Sequence, residues 1–176
     1  MKKNFEIKTK LSNPKSTKPL LKSLCLGNSA IREKQLQEDI YYKVTQGRLK
    51  LRIINGRTGN LIHYFRNNKT GKRVSKYTIS ETNTPRELDS ILSSLYGVKV
   101  KVKKYREITI LDNVRIHIDN VIGLGNYLEI EIIFKSIKDA RKQMSGLIER
   151  LKLDEKNFIK ESYSDLLLKK RRKNAD

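Results

Sequence analysis

Charged side chains recur at alternate positions in several short stretches of this sequence. Glu6, Lys8 and Lys10 follow Asn4 and alternate with Phe5, Ile7 and Leu11. Arg48, Lys50 and Arg52 alternate with Leu49, Leu51 and Ile53, and Tyr64 shares its parity with Arg66. Arg115, His117 and Asp119 stand against Ile116 and Ile118, and Glu129 and Glu131 against Leu128, Ile130 and Ile132. Near residue 100 two alternations compete: Lys99, Lys101 and Lys103, or Val102 with Lys104 and Arg106. Residues two apart on a strand share a face, so each stretch offers one charged face. Lys and Arg neutralise phosphate oxygens, whereas carboxylates hold Mg²⁺ or Mn²⁺. Many cations with a few carboxylates suit a polyphosphate carrying a divalent metal. One such strand alone reads more simply as amphipathic with a solvated face; the set points to chemistry.

The balance of charge agrees with an anionic partner without choosing among them. The 176 residues include 39 Lys and Arg against 19 Asp and Glu, a net charge of +20. Nucleic acid, anionic lipid and polyphosphate all fit that sign. No run approaches the roughly 18 apolar residues of a membrane span, and the first residues lead into no apolar signal core. A cytoplasmic protein with no membrane partner is therefore expected. The single Cys25 excludes an intramolecular disulfide and a Cys-rich zinc site, and reads as a small buried apolar residue. Glycine-rich phosphate loops, zinc-ligand spacings and nucleophile-elbow motifs are absent from the sequence.

The elements that must position these side chains are mostly strands. Period-two patterning predicts strands over 5–11, 40–44, 48–53, 61–66, 74–79, 99–110, 114–119 and 127–134. Asn55-Gly56 and the stretch from Asn67 to Gly71 are turn signals. Leu20, Leu21, Leu24 and Cys25 lie at helical spacing within 14–26, with Gly27 as C-cap. A second helix starts at Thr84, with Pro85 at its first position and Glu87 completing a capping box. A third follows Ser136, and a short one covers 162–168 before the basic run Lys169 to Lys173. The expected fold is α+β, one domain over 1–168 with about eight mostly antiparallel strands and a flexible basic tail over 169–176. Closure into a barrel would remove exposed edges. With helices packed on apolar outer faces, the charged faces would point inward, where cations need an anion or carboxylates to be stable. Glu6, Asp119, Glu129 and Glu131 supply such carboxylates.

The order of these pieces resembles the CYTH superfamily of triphosphate tunnel metalloenzymes, and within it the class IV adenylyl cyclase-like branch. The matching stretches are 4–8, 37–42, 47–52, 61–66, 75–77, 102–106, 115–119, 123–131 and 162–167, in the family's order. The resemblance implies an eight-stranded antiparallel β-barrel with an open tunnel and flanking helices. It selects Lys104 and Arg106 at the undecided strand. It implies that Lys8, Arg48, Lys50, Arg52, Arg66, Lys104 and Arg106 grip a triphosphate, and the strand faces add Lys10 and Arg115. Glu6, Glu129 and Glu131 would hold Mg²⁺ or Mn²⁺, and Glu6, Lys8 and Asp119 would be catalytic, Asp119 as a further ligand or an orienter of Lys and Arg. The family's entry motif is Glu-x-Glu-x-Lys, and its first acid is here Asn4, which removes one negative charge.

Two chemistries fit one such site. A cyclase forms cyclic AMP and pyrophosphate from ATP; a triphosphatase releases orthophosphate from thiamine triphosphate, a nucleoside triphosphate or tripolyphosphate. A non-catalytic phosphate-binding protein is the rival from another class. His117 reads as a hydrogen-bonded structural residue ahead of a proton-transfer group, and Tyr64 and Tyr77 either orient phosphate or fill the barrel. Lys169 to Lys173 offers nucleic-acid contact or a nuclear signal, against a solvated terminus.

Overall fold

The computed structural model describes residues 2–25, 29–66 and 73–174. Its strands are β1 (Lys2–Lys10), β2 (Ile31–Tyr42), β3 (Arg48–Ile54), β4 (Thr58–Arg66), β5 (Arg73–Thr82), β6 (Val98–Leu111), β7 (Val114–Val121) and β8 (Gly125–Ile133). They close into one barrel in the order β1-β5-β4-β3-β2-β6-β7-β8, with β8 returning to pair with β1. Every neighbouring pair is antiparallel. Four helices flank it: α1 (Pro14–Leu24), α2 (Pro85–Tyr96), α3 (Ile137–Arg150) and α4 (Tyr163–Lys173).

On β1, β2, β3, β7 and β8 an apolar half faces outward, and the helices cover it. Phe5 and Ile7 of β1, Ile116 of β7, and Ile130 and Ile132 of β8 pack with Leu21 and Leu24 of α1 and Met144 and Ile148 of α3. Ile40, Leu51 and Ile53 pack beneath Leu88 and Leu92 of α2. Each fully buried aliphatic side chain stabilises the fold by about 1.5–3 kcal/mol, which fixes strand register. A third cluster lies inside the barrel, where Tyr41, Val100, Val102, Val121 and Tyr127 surround Tyr163 of α4. Several side chains of this cluster, Tyr41 and Tyr163 among them, wall the cavity.

Local chemistry explains where strands turn. Asn55 (φ 52°) and Gly56 (φ 72°) form the tight β3–β4 turn that this pair favours. Asn55 Oδ1 also accepts from the Leu36 backbone N–H at 2.8 Å, tying the turn to β2. Gly47 enters β3 at φ 66°, and a Cβ there would sit 2.9 Å from His63 Nε2.

Three expectations change. The second strand starts at Ile31 and not at residue 40. Thr84 begins α2 but makes no side-chain cap; its backbone N–H donates to Thr82 Oγ1 instead. Lys169–Lys173 form the last turns of α4 and not a separate tail. The Gly27 cap and the turn at 67–71 lie outside the described residues. Among those residues, no helix is long and apolar enough to cross a membrane.

Candidate active site

The inward faces converge on a cavity of about 790 Å³, counted to its open mouth. Its lining is ionic to a degree that an ordinary core would not tolerate, and two buried aspartates organise the cations.

Asp39, on the inner face of β2, gathers three of them. Its carboxylate accepts from Lys50 Nζ at 3.0 Å, Lys104 Nζ at 2.9 Å, and Arg52 Nε and Nη2 at 2.7 and 3.0 Å. Burial works to raise the Asp39 pKa, but Arg52, Lys104 and Lys50 outweigh it and hold the carboxyl well below the usual carboxylate range. Lys104 is 1% exposed. Burial, with Arg52 and Arg106 nearby, pushes its pKa down to about 7 against the pull of Asp39. The cage thus lacks the negative charge needed to keep all its cations charged comfortably.

Asp119 does for Arg106 what Asp39 does for Arg52. Arg106 donates to both Asp119 oxygens at 2.6 Å, a bidentate pair, and Tyr163 Oη donates to Oδ2 at 2.8 Å. Burial opposes ionisation of Asp119, and Arg106 overcomes it and keeps the pKa low. Burial together with Asp119 and Glu129 pushes the Tyr163 hydroxyl well above its ordinary pKa, which keeps it a donor. The Tyr163 ring lies 4.0 Å from Lys8 Nζ, and Lys8 also meets Glu129 at 3.3 Å. Tyr163 therefore bounds the cage from the α4 side.

The carboxylates collect on β1 and β8. Glu6 pairs opposite Glu131 and Lys8 opposite Glu129 in the antiparallel register. Glu129 stays ionised: burial is outweighed by Lys8, His117 and Arg106, and its pKa falls well below the ordinary value. Glu131 moves the other way, raised by burial and by repulsion from Glu129 and Glu6. His117 Nδ1 approaches Glu129 Oε1 to 3.6 Å and Glu131 Oε1 to 4.0 Å, too far for a hydrogen bond. The expected hydrogen-bonded structural role is thus not what Nδ1 shows, because it is buried without a hydrogen-bond partner. Asn4 Oδ1 is likewise buried without such a partner, on the cavity wall. Close carboxylates, with that of Glu131 raised in pKa, and buried polar atoms without hydrogen-bond partners are what a divalent cation would satisfy, so these residues fit one.

Glu6, Lys8, Lys50, Arg52, Lys104, Arg106, Arg115, Glu129 and Glu131 all line the cavity. Asp119 sits behind Arg106 and is 0% exposed. Lys10 is exposed at the last position of β1 and is outside the cavity lining. Arg48 turns to α4, where it donates to Ser162 Oγ at 2.8 Å and to Asp165 Oδ2 at 3.0 Å. The Arg66 side chain lies outside the described residues. Asp39 is the cavity residue that the strand patterns miss, because they start β2 at Ile40; the alternation Gln37, Asp39, Tyr41 is the available signal.

A model of the CYTH domain matches residues 2–163. A Methanocaldococcus jannaschii protein named as a candidate adenylate cyclase is 30% identical, covering 92% of this chain and 96% of its own length. The solved structure of the PH1012 protein from Pyrococcus horikoshii superposes with a TM-score of 0.82 at 24% identity, over 94% of this chain and 99% of that one. A Hippeastrum protein, described as a candidate adenylyl cyclase with a dominant triphosphatase activity, has a TM-score of 0.63 at 12% identity, covering 96% and 94%.

Proposed function

The chain belongs to the CYTH domain family, and from that premise we propose that it is a metal-dependent enzyme acting on a nucleotide or other organic triphosphate. The preferred reaction is cyclisation of ATP to cyclic AMP and pyrophosphate. The observation that carries this reading is the closed ring of inward-facing Lys8, Lys50, Arg52, Lys104, Arg106 and Arg115 beside Glu6, Glu129 and Glu131. Cations fixed before the substrate arrives need no reorganisation as charge develops, which is where such sites gain most.

In this reading the triphosphate oxygens replace part of the Asp39 carboxylate in the coordination of Lys50, Arg52 and Lys104. Cyclisation forms a bond from the ribose 3′-oxygen to the α-phosphorus and breaks the bond to the bridging oxygen, which leaves with pyrophosphate, while the 3′-hydroxyl proton passes to solvent water. Lys8 and Arg106 are placed to offset the charge on that leaving group, with Asp119 and Tyr163 Oη holding the Arg106 plane. A divalent ion held by Glu6, Glu129 and Glu131 would polarise the attacked phosphate. Water attack on the terminal phosphorus is the second reading, favoured by the activity described for the Hippeastrum protein.

The test incubates purified protein with Mg²⁺ or Mn²⁺ and ATP, GTP, thiamine triphosphate or tripolyphosphate. Cyclic nucleotide with pyrophosphate supports the cyclase, and orthophosphate supports the triphosphatase. No turnover, together with tripolyphosphate affinity unchanged in Lys104→Met, would remove the tunnel-enzyme reading altogether.

A further inference from the structure

His117 is a buried side chain behind the cavity carboxylates Glu129 and Glu131, and neither phosphate gripping nor packing accounts for it. It projects inward from β7 between Arg115 and Asp119 and pairs in register with Glu129. Its residue is 3% exposed, and Nδ1 is buried without a hydrogen-bond partner. Leaving such an atom unsatisfied is destabilising. The atom nevertheless faces both Glu129 Oε1 and Glu131 Oε1. Across the wall, Asn4 Oδ1 is a second buried lone pair with no hydrogen-bond partner.

Donor atoms of His117, Glu129 and Glu131 all lie within 4.8 Å of one another. Around an ion with bonds of about 2.0–2.2 Å only one donor pair can be opposite, at about 4.0–4.4 Å, and adjacent donors lie about 3 Å apart, so closing on one requires side-chain movements of up to about 1 Å. The chemistry of the donors is selective. Mg²⁺ prefers oxygen and gives up water reluctantly, whereas imidazole binds transition ions. Neutral Asn4 adds to the same bias, since a carboxylate there would strengthen the pull on a hard ion.

We propose that His117 Nδ1, Glu129 and Glu131 form a mixed nitrogen–oxygen metal site that binds Mn²⁺ in preference to Mg²⁺. The site rests on the reading of the cavity as metal-dependent, but it is testable without any nucleotide. Glu6 remains available to the same ion from β1. His117 in this arrangement chooses the ion, and the arginines and lysines hold the phosphates.

The experiment titrates the full chain with Mn²⁺ alone and follows the free-ion electron paramagnetic resonance signal, then records electron spin-echo modulation from the bound ion. One bound Mn²⁺ with directly coordinated ¹⁴N is expected, displaced only by Mg²⁺ at about tenfold or greater excess. His117→Gln should remove the nitrogen modulation and weaken Mn²⁺ binding at least about tenfold, while Mg²⁺ binding changes much less. His117→Asp should recover Mn²⁺ affinity without a nitrogen signal. Bound Mn²⁺ lacking nitrogen coupling in the wild type, where folding of a variant is not at issue, would overturn the proposal. An unchanged Mn²⁺ to Mg²⁺ preference in His117→Gln would do the same. Either result with triphosphate turnover intact sinks the ion assignment alone; absence of triphosphate binding sinks the enzyme reading instead.

Discussion

At the scale of single residues, Asp39 supplies the negative charge that the inward cations require. Three cations share one carboxylate, so the cage is stable only while that carboxylate is present and ionised. Asp39→Asn should destabilise the fold by about 3–5 kcal/mol, the usual effect of stripping one partner from a buried ionic cluster. Urea unfolding measures it, and tripolyphosphate should restore more stability to the variant than it adds to the wild type. An unchanged midpoint would mean the three cations hold themselves apart. The pH dependence follows from the signs. Asp39 has a folded pKa below its unfolded one, so its contribution is present above about pH 4 and is lost as the pH falls further. Lys104 titrates near 7 when folded and near 10.5 when unfolded, so its burial is costly below pH 7 and that cost is relieved as the pH rises between the two values. A bound triphosphate favours the charged ammonium. Binding at pH 8 should therefore take up protons, seen as a buffer-dependent enthalpy in calorimetry, and the uptake should vanish in Lys104→Met.

At the scale of elements, the N-terminus of α4 does two tasks with one carboxylate. Asp165 completes the Ser162 capping box and accepts the Arg48 guanidinium. Asp165→Ala should cost about 0.5–2 kcal/mol through the cap, plus the lost ion pair. Hydrogen exchange at residues 163–168 should rise while the β7–β8 ladder stays protected; equal exchange would show that the Tyr163 contacts alone seat the helix. The legibility of elements followed their environment. Seven strands were readable because a helix or the barrel interior makes their two faces chemically different. The first half of β2 is exposed on both sides, so no alternation marks it, and Asp39 at its buried end went unseen. The basic end of α4 looked like a tail, yet Lys and Arg suit a helix C-terminus, and Lys170 donates to the Gly123 carbonyl. Site parity was legible; the division of cations between Asp39, Asp119 and α4 depends on distances across the barrel that no local pattern carries.

At the scale of the whole molecule, the charge of +20 divides between the interior and the solvated surface. Surface repulsion is screened by any salt, whereas the interior cations respond to an anion that fits among them. Tripolyphosphate at micromolar levels should raise the melting temperature well beyond sodium chloride of equal ionic strength. Equal shifts would place the responsive charges on the surface. The closed order of strands has a further consequence for how the molecule comes to exist. β1 is the first strand in the chain, yet its partners are β5 and β8, more than sixty and one hundred residues later. Pairings so distant in sequence make folding slow, because long loops must close before any contact rewards them. Glu6 and Lys8 can meet Glu129 and Glu131 only when the last strand has been made and docked. Until then a growing chain presents its cationic faces to whatever polyanions surround it, and the site is assembled in the closing step.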